Sequence, residues 1–348
     1  MSGIIGHSMY AILGAQAAVE RKLPVGTIVA RHLPAYLAGA YLGSDIQTMP
    51  EAVCLDTGRE VGYGTVPLEK SPLTGGPVRA WKLKHDGREH TPREIHDLFY
   101  GRAHLVFGWT RADREHTVPW DHLPDYFADV LDDTFEFFGA NERTLAYVLG
   151  WVVHVVSDSL IKSIQPGIDL HLLDGKYTPR NRPIQDLVTF HEVGAKELRV
   201  DWPRLLKELS ATPVEPVQLH YMRCGEPRGR LVREFPNAWD VSKKSLLMAV
   251  LAENRRWCLQ HAEDVLKEMQ LVPSANGLDC NESIRKATGL SYPTMVDLAR
   301  KAGFRRALSQ MGNAVADIFA ATLRRSSHAQ KLPAATASTL ADLARAWQ

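Results

Sequence analysis

Residues 145–161 constrain this chain more than any other stretch, because they are apolar nearly all round and yet carry His154 and Asp158. A helix without a polar face is buried on most sides, so the fold must wrap this one. The histidine and the aspartate are four residues apart, which puts both side chains on one helical face, one turn from each other. A carboxylate taken out of water is costly unless it is paired or bound to a cation. Two arrangements answer that cost. The pair can hydrogen-bond internally or to nearby backbone, or it can hold a metal.

The rest of the chain reads as all-α. Helical patterns cover residues 4–21, 35–42 (opened by Pro34), 92–107, 123–138, 142–164 and 181–198, and then 241–269 and 293–325. From about residue 54 to 91 the periodicity gives way to Gly and Pro, and residues 78–84 before Asp86-Gly87 suggest a small hairpin. That stretch reads as an irregular or hairpin insertion covering one side of the core. Residues 211–236 look like a connector, and the Ala-rich end, 331–348, like a loosely docked helix. With 348 residues the chain can bury one large core or a core with an appendage. The expected division is a core over 1–200 and a helical extension over 201–348.

Charge narrows the partners. There are 41 Lys and Arg against 40 Asp and Glu, a net +1, so no cationic excess is available to neutralise phosphates and nucleic acid is not an expected partner. Four widely spaced cysteines, Cys54, Cys224, Cys258 and Cys280, lack Cys-x-x-Cys spacing and read as reduced thiols, in keeping with a cytoplasmic protein. The apolar start has no basic leader region and is interrupted by His7, which reads as a core helix rather than an export signal. No uncharged apolar stretch reaches 18 residues, so no transmembrane segment is expected.

Several motifs occur in a telling order. Ala146-Tyr147-Val148-Leu149-Gly150-Trp151-Val152-Val153-His154 leads into a His-x-x-x-Asp helix ending at Asp158. Upstream, Leu37-Ala38-Gly39-Ala40-Tyr41-Leu42-Gly43-Ser44-Asp45 closes an apolar helix with a Gly-Ser turn and an aspartate, and Gly101-Arg102-Ala103-His104 precedes another helix. His7 opens an Ala-rich helix, and Thr189-Phe190-His191 follows the central one. Together these resemble the zinc-dependent phospholipase C family, related in fold to S1/P1 nucleases, over residues 1 to about 200.

The resemblance implies a multi-helix core and a metal set drawn from His7, Asp45, His104, His154, Asp158 and His191. Asp45, His104, His154 and Asp158 would complete one site, a second would keep His7 and share Asp158, and for a third only His191 remains. It departs from the family's three-metal pattern at several places: the N-terminal Trp is absent, and the positions of an expected His and Glu fall at Ile164 and Ala195. Asp169, His171, Asp174 and Glu192 are candidate substitutes. Two His and two carboxylates suit zinc, with iron or manganese as alternatives. The implied activity is hydrolysis of a phosphoric ester, in a phospholipid or small phosphorylated metabolite, by a metal-activated water that Asp45 orients or deprotonates. The competing expectations are a nuclease of the same fold and a non-catalytic scaffold on a decayed hydrolase. His90 and His96 are reserves for His104. Gly6-His7-Ser8-Met9-Tyr10 resembles a nucleophile elbow, but it starts too early for the strands that motif requires.

Overall fold

The computed structural model describes residues 3–42, 52–54, 77–80, 82–90, 120–162, 168–170, 172, 181–212, 241–275 and 277–348. Those residues are mostly helical, with only two-stranded antiparallel ladders besides. Helix α1 runs Ile4–Glu20 and ends where Lys22 turns to a φ of 58°. Pro24 then caps a short α2, Val25–Arg31, which the sequence reading does not anticipate, and α3 follows as Leu33–Leu42. Strand β1, Ala52–Cys54, pairs with β2, Val78–Ala80, while β3, Leu83–His85, and β4, Arg88–His90, form a hairpin of their own. Its turn residues Asp86 and Gly87 have φ of 48° and 76°, as a two-residue hairpin turn of that hand requires. The sequence reading places residues 78–84 in one hairpin. The structure divides them, giving 78–80 to the partner at 52–54.

A short 3₁₀ turn at Trp120–His122 leads into α4, Leu123–Phe138, and α5 covers Glu142–Lys162. Helix α6, Asn181–Val188, passes directly into a π-helix over Thr189–Leu198, so the helix expected across 181–198 changes hydrogen-bond register midway. Next come α7, Trp202–Ala211, and α8, Val241–Glu268. The hairpin β5–β6, Leu271–Ser274 with Gly277–Cys280, leads to α9, Glu282–Thr288, and α10, Tyr292–Lys301. Helix α11, Phe304–Arg325, is separated from α10 at Gly303, whose φ of 67° interrupts the single helix expected over 293–325. A 3₁₀ turn at Ala329–Lys331 precedes α12, Thr339–Trp347. The expected helix at 92–107 lies outside the described residues, and so does nearly all of the expected connector, 211–236.

One hydrophobic cluster extends from Ile4 to Trp347 and draws residues from both sides of position 200. Helix α11 lies along α1, and α12 against α2. The C-terminal helix is firmly docked rather than loose: Leu343 is fully buried, and Trp347 donates its indole N–H to the Leu198 carbonyl at 3.1 Å. Among the described residues one helix, Glu142–Ile161, is long and apolar enough to cross a membrane, and 94% of that stretch is buried inside the molecule.

The tightest helix crossing is that of α3 with α5. A methyl group at Gly39 would collide with the Tyr147 carbonyl oxygen, and one at Gly150 with the Tyr36 carbonyl oxygen. The two backbones therefore touch, each glycine seated on the other helix. Substituting alanine forces the helices apart over the whole core; overpacking of this kind costs about 2–3 kcal/mol. Gly150→Ala should lower the denaturant midpoint accordingly, and an unchanged midpoint would contradict the crossing.

A second tie sits at the end of α11. Asp132 on α4 accepts hydrogen bonds from the Ser326 hydroxyl, the Ser327 amide and hydroxyl (2.9 and 2.7 Å) and the His328 amide (3.3 Å). Partial burial pushes its pKa up, but the bonds from Ser326, Ser327 and His328 together outweigh burial and hold it below the usual 3.8. A carboxylate depressed in the folded state stabilises fully above its unfolded pKa and loses that contribution as pH falls through the folded value. Thermal melts should show Asp132→Asn less stable than the parent at pH 7, with the difference shrinking as pH drops below about 4.

Candidate metal centre

Three side chains meet in the buried centre of the bundle. His7 comes from the first turn of α1, and His154 and Asp158 from successive turns of α5. Their relative exposures are 2%, 3% and 0%. His7 Nε2 stands 3.6 Å from Asp158 Oδ1, and His154 Nε2 stands 3.8 Å from Asp158 Oδ2. The two imidazoles stack with centroids 4.4 Å apart and planes 22° from parallel, and the Tyr10 ring meets His7 edge-on at 5.8 Å.

The orientation of His154 is fixed from behind. Its Nδ1 lies 3.0 Å from the carbonyl oxygen of Ala40, which can only accept, so Nδ1 carries the proton. In the neutral ring that leaves the Nε2 lone pair directed at Asp158. Ala40 sits in the last turn of α3, where helix carbonyls run out of intrahelical donors. The contact is possible because α3 and α5 touch at Gly39 and Gly150. The C-terminal end of α3 also carries partial negative charge, which favours a cation nearby.

These atoms fit a metal better than they fit each other. A direct hydrogen bond would bring them to about 2.7–3.2 Å. The separations of 3.6 and 3.8 Å exceed that range. Ligand atoms about 2.1 Å from a tetrahedral zinc stand roughly 3.4 Å from one another, close to the spacing found here. One ligand atom from each of the three residues lies within 4.8 Å of the other two, as a shared ion needs. Two imidazole lone pairs and a carboxylate form a donor set for zinc or a neighbouring first-row metal, with a fourth position left for another group.

The other residues singled out in the sequence divide into two groups. Asp45, His104, His96, His171 and Asp174 lie outside the described residues. His191 is described and turns elsewhere: its Nε2 donates to the Met269 carbonyl at 2.7 Å, and its ring meets those of Phe190 and Tyr292 edge-on. Burial holds its pKa below the ordinary histidine value, against the opposing pull of the Met269 bond. Glu192 is occupied by Lys196 at 2.5 Å and by the Tyr292 hydroxyl. Both residues bind the C-terminal part of the chain. Asp169 is exposed, and His90 is buried at the end of β4. Ser8 lies within α1 and is fully buried, as a helix-core residue rather than an elbow. The group that the sequence does not reveal is the Ala40 carbonyl. A backbone acceptor leaves no mark on composition, and only the paired glycines hint at so close an approach.

The chain matches no protein-family model, no curated protein and no solved structure. The geometry alone therefore carries the site, and it makes a direct prediction. Elemental analysis of protein purified without added metal should find one equivalent of a divalent transition metal, lost in His154→Ala and in Asp158→Ala. A metal-free wild type would contradict the assignment.

Proposed function

We propose that the protein is a metal-dependent hydrolase of phosphoric esters, working from a helical core of the zinc-dependent phospholipase C type. The observation that carries this reading is the convergence of His7 Nε2, His154 Nε2 and the Asp158 carboxylate, all buried, at separations of 3.6 and 3.8 Å. Support comes also from the order of motifs in the sequence, in which His154 and Asp158 match one site of the family and His7 a second site that shares Asp158. His7, His154 and Asp158 would hold the cation. Bound there, it would acidify a water and offset the negative charge that builds on a phosphoryl group under attack.

The remaining roles belong to the chain's own groups. Asp45 is proposed to orient the attacking water and accept its proton, and His104 to complete the ligand set. Ala40 keeps His154 in the tautomer that ligation requires, as outer-sphere acceptors do in zinc sites generally. His191 and Glu192 are engaged with Met269, Lys196 and Tyr292, which favours a single cation over the family's three. The proposed substrate is a phospholipid or a small phosphorylated metabolite.

Hydrolysis of a chromogenic phosphodiester tests the proposal. The purified protein should turn it over, chelator should abolish turnover and zinc or manganese restore it, and Asp158→Asn should reduce kcat by at least about a hundredfold. Activity indifferent to chelator and to Asp158→Asn would remove the reading. Faster cleavage of single-stranded nucleic acid than of phospholipid or simple diesters would redirect it to a nuclease.

A further inference from the structure

A cavity of about 260 Å³ opens between the π-helix and the α10–α11 corner, and it shares no residue with the buried His7–His154–Asp158 cluster. Its walls are largely apolar: Val188, Val193, Ala299 and Phe304 are all buried, and Val296 is half-buried. The π-helix builds one of those walls. In an α-helix, residues five apart point in different directions, whereas the wider π turn, bonded i to i+5, brings them onto one face. Val188 and Val193 are such a pair, and so are Glu192 and Glu197; all four line the cavity. A ten-residue π-helix is rare, and π segments are frequent at functional sites.

The charged groups at the mouth are not equivalent. Glu197 is held by Arg305 through two bonds of 2.8 and 2.5 Å, Glu192 is taken by Lys196 and Tyr292, and Arg300 pairs with Asp297 at 2.5 Å. The Arg306 side chain has no hydrogen bond or ion pair with any described residue; only its backbone N–H is engaged, by the Gly303 carbonyl. Its guanidinium folds back over Gly303, with Nη2 only 3.8 Å from where a Gly303 Cβ would be. Gly303 and Phe304 form the start of α11, which no side chain caps, and they too are part of the lining. Among the described residues the cavity therefore offers an apolar interior with one uncommitted cation at its rim, and the two rim carboxylates are already neutralised.

We infer that this cavity binds a small amphiphilic anion, with its short apolar body between the π-helix and α10 and its single carboxylate or phosphate head on Arg306. The volume falls below the roughly 300–1,000 Å³ of drug-sized sites, so the occupant is of small-metabolite size. Charge complementarity selects the head group, and the apolar walls exclude a bare inorganic anion as the preferred ligand.

Calorimetric titration of the full-length protein tests this with four probes: hexanoate, hexyl phosphate, hexylammonium and inorganic phosphate. Hexanoate or hexyl phosphate should bind saturably, and the tighter of the two identifies the head group. Hexylammonium and inorganic phosphate should bind at least about tenfold more weakly. Arg306→Glu, at an exposed position that the fold does not need, should weaken the organic anion by about tenfold or more, and Val296→Phe should do so by filling the interior. No saturable binding would overturn the inference, as would equal binding of the amine or of inorganic phosphate. So would organic-anion affinity that survives Arg306→Glu, the result expected if the anion instead sought a metal held by His7, His154 and Asp158.

Discussion

The fully buried Asp158 carboxylate is the constraint around which the rest of the molecule is arranged. An ionised group in that setting must have positive charge beside it or give up its charge. Among the described residues the bases beside it are two imidazoles, and one of them has already spent its Nδ1 proton on the Ala40 carbonyl. What His154 turns toward the carboxylate is then a lone pair. A cation at the shared point would be held by that lone pair, by the carboxylate and by His7 Nε2, which would reconcile the burial, the spacing and the His154 tautomer together.

That arrangement depends on backbone geometry more than on the ligands themselves. Gly39 and Gly150 let α3 and α5 touch, the contact brings the Ala40 carbonyl within 3.0 Å of His154, and that bond aims the ring. Helix α1 must lie close to α5 to deliver His7, and α1 is pressed inward by α11 from the far end of the chain. Residues well beyond position 200 thus help to hold in place a centre built from the first 160. The same C-terminal region engages His191 through the Met269 carbonyl and Glu192 through Tyr292, so two residues with ligand-like chemistry serve as docking contacts.

How much of this could be read from the sequence differs from element to element. Helices α1, α4 and α5 are legible because apolar runs bounded by Pro, Gly or charge need no tertiary information, and α4 falls at the expected residues 123–138. The His154–Asp158 pair is legible for a geometric reason, since a four-residue spacing fixes a shared face in any helix. The meeting of His7 with that pair comes only through the family resemblance, because it depends on how α1 packs. The π-helix escapes detection because composition does not mark a shift in hydrogen-bond register, and ten residues are too few for the changed period to stand out. The role of His191 escapes for a related reason: its partner is a main-chain carbonyl 78 positions away. The break at Gly303 could have been read, as Lys301-Ala302-Gly303 carries the usual signal for a helix stop.

The most direct measurement is an anomalous-difference map, recorded at the metal edge from crystals of protein purified and grown without chelator or added metal. The account predicts one strong peak about 2.0–2.2 Å from His7 Nε2, His154 Nε2 and an Asp158 oxygen, with Nδ1 of His154 still bonded to Ala40. A map without a peak there, in which an imidazole has closed to direct hydrogen-bond distance of Asp158, would contradict it.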